Sequence, residues 1–435
     1  MLIKNFKSLI LSKERKIALE IIETGLSALD YKKNVYLSKY DIIRVNQSET
    51  LRQSDGIYLI GFGKGSAKVA DILRKKINFK EIYVIDVKGR YFRGTHPLPS
   101  KKNFLFTKKL IERFEGKLTK KDLVIVLVCG GGSAMLIYPK IGLKRYIQVN
   151  QELLKSGANI YEMNTIRKHL DLVKGGGLVK ILYPAKIISL IFSDVPGNDL
   201  SFIASGPTVK DKTKIADALR IIKKYKLKSV RKEDLIETPK EEKYFKKVKN
   251  ILALSNLTAL KAMKEKAESF GLKAKILTDN LKGDVKDVAK FLLKEIRKSK
   301  ENILLLGGET TVKVKGKGKG GRNQELVLWF LKHLTADKHG YDTDKRGYNI
   351  SLNQFLHQRS SVGIISLNSD GWDNTEFAGA IGDKITLEKA KKLKLDIDKF
   401  LENNDSFHFF KKVKDGIYTG RLSINVADLV LVWKT

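Results

Sequence analysis

The chain has 435 residues and a formal charge of +36, with 84 Lys and Arg against 48 Asp and Glu. Its single cysteine, Cys129, excludes an intramolecular disulfide and most cysteine-based metal centres. No apolar run reaches the ~18 residues of a membrane span, and a hydrophobic share of 42% suits ordinary globular cores. The length allows about two or three domains. The N-terminus, MLIKNFKSLILSKERK, lacks a secretory apolar region and a small-residue cleavage site, so a cytoplasmic protein with no membrane partner is expected. A strong basic excess can bind phosphate backbones non-specifically. The lysines are spread along the whole chain, however, with no zinc-finger, RNP-like or helix-turn-helix signature, so no specific nucleic-acid partner is expected.

In chain order, residues 14–30 carry apolar side chains at helical spacing and predict a packed helix. Gly56 to Ile60 predicts a strand, followed by Gly61-Phe62-Gly63-Lys64-Gly65-Ser66 and a helical stretch, AKVADILRKK. This order places Lys64 beside a helix N-terminus, where an anion is favoured. The turn is not a Walker A loop, because the upstream glycine and the Ser/Thr after the lysine are missing. It nearly matches the dinucleotide fingerprint, with Asp86 closing the next strand and Ser66 where the third glycine would stand. A purely structural tight turn is the alternative. His96, in a rigid Thr-His-Pro segment, reads either as a base or as a loop histidine held by hydrogen bonds. Leu123 to Val128 is a fully apolar strand ending in Cys129-Gly130-Gly131-Gly132-Ser133. Three glycines at a strand's C-terminal end mark close backbone approach, where open α/β sheets bind ligands. Ser133 can donate to a ligand oxygen or cap the following helix, and Cys129 reads as a small buried filler.

Asn164 to Lys174 predicts an Asn-capped helix stopped by Gly175 to Gly177. Its basic residues Arg167, Lys168, His169 and Lys174 form either a solvated face or an anion site. The strand Lys186 to Phe192 ends in a turn holding Asp194, a carboxylate suited to Mg²⁺, to a hydroxyl proton or to an Asx-type turn. Residues 209–250 are rich in charge and lack glycine. They read as a linker with surface helices, which places a domain boundary there: 1–240 and 241–435. A second strand–helix alternation then opens with Ile251 to Leu254 and Ser255-Asn256, and continues through Ala274 to Thr278 and a helix over Val285 to Lys298. Asn302 to Leu306 runs into GGETTVKVKGKGKGGRNQE. There Gly316, Gly318, Gly320 and Gly321 alternate with Lys317 and Lys319 ahead of a helix opening at Arg322. This predicts a polyphosphate cradle or, more blandly, a flexible basic hairpin tip. Residues 336–359 read as a polar excursion or flap. Val362 to Leu367 is a strand closing on Asp370, and Leu429 to Trp433 is the last strand. The expected fold is α/β, with two lobes each built on a mostly parallel sheet flanked by helices, a Rossmann-like N-terminal lobe, and the active site in a cleft between them.

The segments GFGKGSAKVA, CGGGSAML, NTIRKHLDLVKGG, SDVPGNDLSFIASGPTV, GGETTVKVKGKGKGGRNQEL, SDGWDNTEFAGAIGD and NDSFHFF, with NVADL at the end, together resemble the glycerate 2-kinase family. The C-terminal lobe of that family is called the MOFRL domain. The departures are Phe62 and Gly65 in place of alanines, Cys129 in place of a serine, Trp372 and Asn374 after the aspartate, and Arg421 to Ser423 before the final strand. The resemblance implies ATP-dependent phosphorylation of D-glycerate on its 2-hydroxyl, with Mg²⁺. Carried onto this sequence, it makes Lys64 and Arg322 expected catalytic residues, and the chemistry of the turn after Phe192 adds Asp194. Gly63, Ser133, Asn164 and Arg167 would bind glycerate. Gly131, Gly132, Asn256, Glu309, Lys317, Lys319, Gly320, Gly321 and Asn323 would bind ATP, and Asp194 and Asp370 are the expected metal ligands. Which aspartate serves the metal stays open, as does the oligomeric state, a homo-oligomer included. The rival enzyme is a nicotinamide-dependent hydroxypyruvate reductase, from the first turn and Asp86. The rival of another class is a basic nucleic-acid-binding protein.

Overall fold

A computed structural model describes residues 1–32, 34, 55–336 and 362–435, so nearly all of the expected flap at 336–359 lies outside the described residues. The chain divides into two compact units, one of residues 31–254 and one of residues 1–30 with 255–435.

In the 31–254 unit, β1 (Ile57–Phe62), β2 (Glu81–Asp86), β3 (Phe92–Arg93), β4 (Leu123–Val128), β5 (Lys186–Phe192) and β6 (Val248–Leu254) form one sheet in the order β3-β2-β1-β4-β5-β6. Every pairing is parallel. β4, LVIVLV, is buried at all positions, as a parallel strand covered on both faces must be. The order reverses direction between β1 and β4, the point at which open α/β sheets bind ligands beyond the strands' C-terminal ends. Phe62 pairs with Val128, so the Gly63 turn and the triple-glycine turn leave the sheet side by side.

Two expectations change here. Ile251 to Leu254 does not open the second lobe: β6 is the edge strand of this sheet, parallel to β5. Residues 209–247 are part of the crossover leading to it, and 248–250 already belong to the strand. The crossover helix Ile215–Tyr225 packs on the helix Ile160–Lys168, and Ala218, Leu227, Val230 and Leu235 join Ile166 and Leu170 in one apolar cluster. A charge-rich surface had masked those buried positions, and the division falls at 254/255 rather than 240/241. The helix expected at Asn164 begins at Ile160 instead. It is capped by Asn159, which forms a reciprocal capping box with Glu162, so Asn164 sits inside it.

In the other unit, β7 (Ala274–Leu281), β8 (Ile303–Gly308), β9 (Val362–Asn368), β10 (Gly379–Gly382), β11 (Gly416–Ile417) and β12 (Asp428–Lys434) form a sheet in the order β11-β10-β9-β12-β8-β7. Among the described residues only β7 and β8 pair in parallel; the other pairings are antiparallel. The expected mostly parallel sheet is therefore mixed. β9 returns to β10 without a crossover helix, and the last strand inserts antiparallel between β8 and β9. β10 and β11 escape sequence reading because GAIG and GI are too short and glycine-rich to show alternation.

The N-terminal helix, Lys13–Ala28, belongs to this second unit, not to the first lobe. It packs on the helix Asn256–Ser269, and a Cβ on Gly25 would lie 2.5 Å from Met263 Cγ. Its Arg15 is fully buried. Nε donates to Asp383 Oδ2 at 2.8 Å and Nη1 to Asp415 Oδ1 at 2.9 Å. Burial disfavours the guanidinium charge, and the two carboxylates more than offset it.

Candidate active site

At the switch point of the 31–254 unit, backbone contacts fix two turns against each other. Lys64 N–H donates to Gly130 O at 2.8 Å and Gly63 N–H to Ile85 O at 3.2 Å. Gly63 has φ +104°, and a Cβ there would lie 2.3 Å from Cys129 O, so only glycine fits. The triple glycine is explained by what covers each residue. A Cβ on Gly130 would meet Asp194 Oδ2 at 2.2 Å, one on Gly131 would meet His96 Cδ2 at 2.6 Å, and one on Gly132 would meet Ala204 Cβ at 2.9 Å. The turn therefore carries the Asp194 carboxylate and the His96 ring directly on its backbone. Lys64 is exposed. It is close enough to His96 that its charge, after partial burial, lowers the imidazole pKa.

The helix N-terminus expected to receive an anion is already filled. Asp86 Oδ2 accepts from Gly65 N–H at 2.9 Å and Ala67 N–H at 3.1 Å, and Oδ1 accepts from Val87 N–H at 2.6 Å. The residue is 4% exposed. Its carboxylate braces the turn and is not open to a ribose hydroxyl, as the dinucleotide alternative requires.

Ser133 Oγ lies 3.0 Å from Ser205 Oγ, which donates to Asn164 Oδ1 at 2.9 Å. Ser205 and its neighbour Ala204 hold φ of +63° and +52°, a strained pair of non-glycine residues of the kind that collects at functional sites. Behind this turn Lys174 is buried. It donates to Ser133 O at 2.8 Å and Leu136 O at 3.1 Å, and burial brings its ammonium down to about 8. The basic cluster thus divides. Lys168 pairs with Asp211 at 3.1 Å, and both are buried along with His169 and Lys174. Arg167 differs: Nε donates to Asn150 Oδ1 at 2.6 Å, and no carboxylate pairs with it among the described residues. Burial lowers its pKa. A desolvated guanidinium without a counter-ion suits an arriving carboxylate or phosphate.

In the 255–435 unit the glycine–lysine segment is held by residues 403–405. Asn404 Oδ1 accepts from Lys315 N–H at 2.7 Å and Gly316 N–H at 2.9 Å, Asn403 Oδ1 from Lys317 N–H at 3.0 Å, and Asp405 Oδ1 from Lys319 N–H at 2.9 Å. Gly318 and Gly320 are glycines because their Cβ atoms would fall 2.5 Å from Asn403 O and 2.3 Å from Ser406 Oγ. The expected cradle of backbone N–H groups is therefore spent on the chain itself. Lys317 and Lys319 are both exposed, the Lys319 ammonium lying 4.5 Å from the Phe407 ring centroid.

The helix Arg322–Ala336 shows the same device as the first unit. Asp373 Oδ1 accepts from Asn323 N–H at 3.2 Å and Oδ2 from Gln324 N–H at 2.9 Å. A Cβ on Gly321 would lie 2.0 Å from Asp373 O. Asn323, expected on ATP, is 1% exposed and satisfied internally, donating to Asp428 Oδ1 at 2.9 Å and accepting from Ser366 Oγ at 2.6 Å. Arg322 donates through Nε and Nη2 to both oxygens of Asp428, at 2.6 and 3.0 Å, and through Nη2 to Glu309 Oε1 at 3.0 Å. Nη1 is left without a partner among the described residues. Asn256 is 2% exposed and donates to Asp279 O at 2.7 Å, and Gly307 lies against its amide. Asp370 is half-buried after β9, its Oδ1 accepting from Trp372 N–H at 2.9 Å in an Asx-type turn.

Sequence alone assigns no role to Ser205, Asp373, Asp428 or Asn404, although each lies in a motif segment, and leaves His96 open between base and loop residue. The first four act through partners distant in sequence.

The MOFRL family profile matches residues 302–428, and a profile described as a domain of unknown function, DUF4147, matches residues 17–237. The glycerate 2-kinase of Pyrococcus horikoshii is 31% identical over 455 aligned residues, covering 96% of each chain. The D-glycerate 2-kinase of Thermotoga maritima is 32% identical, covering 96% of this chain and 97% of its own. A crystal structure of the Thermotoga maritima glycerate kinase superimposes with a TM-score of 0.77 at 28% identity, over 97% of this chain and 99% of that one. With likeness of this extent in sequence and in fold, the chain belongs to the glycerate 2-kinase family with a MOFRL domain.

Proposed function

We propose that this protein transfers the γ-phosphoryl group of ATP to the 2-hydroxyl of D-glycerate. The observation that carries the reading is the switch-point arrangement. An exposed Lys64, the Asp194 carboxylate on Gly130 and the Ser133–Ser205–Asn164 chain surround glycine backbone in a member of this kinase family. Phosphoryl transfer needs alignment and charge neutralisation more than covalent chemistry. Lys64 and Arg167, which has no carboxylate partner among the described residues, supply charge for the glycerate carboxylate and the transferring group, and Ser133 with Asn164 orients the hydroxyl. In the other unit, Lys317, Lys319 and Nη1 of Arg322, which has no partner among the described residues, carry charge suited to nucleotide phosphates. Asp194 is the carboxylate suited to the hydroxyl proton or to Mg²⁺. Among the described residues no cluster of three or more His, Cys, Asp or Glu gathers as a metal cage. Mg²⁺ fits such a donor set, because it is commonly held by one or two carboxylates plus phosphate oxygens. Either Asp194 or Asp370 would hold it, and when bound it would neutralise phosphate charge.

The test is direct. Purified protein with D-glycerate, Mg²⁺ and ATP should release ADP and 2-phosphoglycerate, the product being read by coupling to enolase without a mutase. Oxidation of NAD(P)H with hydroxypyruvate and no release of ADP would refute the assignment. Gly130→Ala probes Asp194 within the same assay. The added methyl must displace a carboxylate oxygen 2.2 Å away, at a residue whose φ is not in the positive region. A misplacement of ~1 Å at a reacting centre can cost about 100-fold. The expected result is a loss of that order in kcat with normal thermal unfolding; an unchanged kcat would remove Asp194 from the chemistry.

A further inference from the structure

The glycine–lysine segment hangs on one buried amide. Asn404, 8% exposed and with φ +51°, follows the helix Ile397–Glu402. Its Oδ1 takes the N–H groups of Lys315 and Gly316 at 2.7 and 2.9 Å. Its Nδ2 donates to Glu325 Oε1 at 3.0 Å and Oε2 at 3.3 Å. The orientation is forced at both ends. A backbone N–H can only donate, so the oxygen must face the segment; an ionised carboxylate can only accept, so the nitrogen must face Glu325.

We propose that Asn404 is a positioning residue that clamps the glycine–lysine segment only while Glu325 is ionised. A neutral Glu325 carries an O–H with no acceptor opposite it, because the Asn404 amide presents its NH₂ there. Turning the amide over satisfies that proton but aims NH₂ at the N–H groups of Lys315 and Gly316, and the segment loses both anchors. Glu325 is 5% exposed, and burial, opposed by the Asn404 hydrogen bond and reinforced by Asp284, pushes its carboxyl up to about 7. Asp373 adds to the rise and Trp329 opposes it. Glu325 borders a cavity of about 320 Å³ to which Lys286, Lys313, Lys315 and Lys332 contribute, with Asp284, Asp398 and Glu402 on its other sides. Two histidines lie nearby, His333 stacked on Trp329 and His408 bonded to Asp405. Their titration has to be separated from that of Glu325.

Hydrogen exchange on the full chain makes the separation, with rates corrected for intrinsic pH dependence. Between pH 8 and pH 6, wild-type protection at residues 315–316 should fall about tenfold, following the ionised fraction of a group titrating near 7. Glu325→Gln, which like the neutral acid puts a donor group opposite the Asn404 NH₂, should show the low protection of the wild type at pH 6 at both pH values. Asn404→Ala should be unprotected throughout. Equal wild-type protection at the two pH values overturns the proposal, and this comparison needs no variant to fold. A Glu325→Gln protein that keeps the wild-type pH dependence also overturns it, and assigns the effect to a histidine. The inference that the clamp serves catalysis rests on the proposed nucleotide role of the segment. There the KM for ATP should rise at pH 6 in the wild type and not in Glu325→Gln. Exchange that behaves as expected while the KM for ATP does not follow leaves the clamp standing and removes the nucleotide role.

Discussion

Lys64→Ala is expected to lower kcat about 100-fold, the scale for removing one preorganised group that stabilises developing charge, while leaving the thermal unfolding midpoint where it is. The structure separates the two effects. The turn is held by the backbone of residue 64, whose N–H reaches Gly130 O at 2.8 Å, and that bond survives the substitution. The ammonium has no carboxylate partner among the described residues, so its removal strands no buried charge. Arg322→Ala should behave differently. It strips the counter-ion from Asp428, which is 2% exposed, and so should lose activity and stability together. Steady-state kinetics beside a thermal melt distinguish the two patterns. A folded Lys64→Ala protein with near-normal kcat would take Lys64 out of the reaction.

Arg15→Met is expected to destabilise the unit formed by residues 1–30 and 255–435 by about 3–5 kcal/mol, the range for removing one partner of a buried ion pair. The side chains of Arg15, Asp383 and Asp415 are 0%, 5% and 0% exposed. Methionine fills much of the volume but leaves Asp383 without its guanidinium. Asp415 keeps Lys389 Nζ at 2.6 Å, which places the loss toward the lower end of that range. Denaturant unfolding of the full chain should show the transition of this unit moved to lower concentration and that of residues 31–254 unmoved. A shift of both transitions, or of neither, would show that Arg15 does not carry the stability of its unit.

Much of the first sheet was legible in sequence. β4 and β5 have the predicted bounds because a central parallel strand is an unbroken apolar run with glycine at its end. The same logic locates the Gly63, Gly130 and Asp194 turns from sequence alone. What stayed hidden was pairing at long range. Arg15 meets residues 368 and 400 positions away, and no local periodicity marks it. The glycine-rich turns were read as seats for phosphate, because glycine and a helix N-terminus suit any anion. They do hold anions, but the anions are Asp86 and Asp373 of the chain itself. A motif specifies the chemistry of a seat and not its occupant, so positive charge at these ends falls to side chains such as Lys64, Lys317 and Lys319.

The division of the chain at 30/31 and 254/255 has a consequence for how it is made. Residues 31–254 are threaded into a unit of which residues 1–30 leave the ribosome before them and residues 255–435 after them. The inserted unit has all its strands once β6 emerges and can fold while synthesis continues. The opening helix, Lys13–Ala28, must wait through that whole interval with Leu19, Ile22 and Leu26 uncovered, until the helix Asn256–Ser269 arrives to cover them. Newborn chains stalled before that point should therefore bind chaperones through their first thirty residues, while the insert beside them is already native.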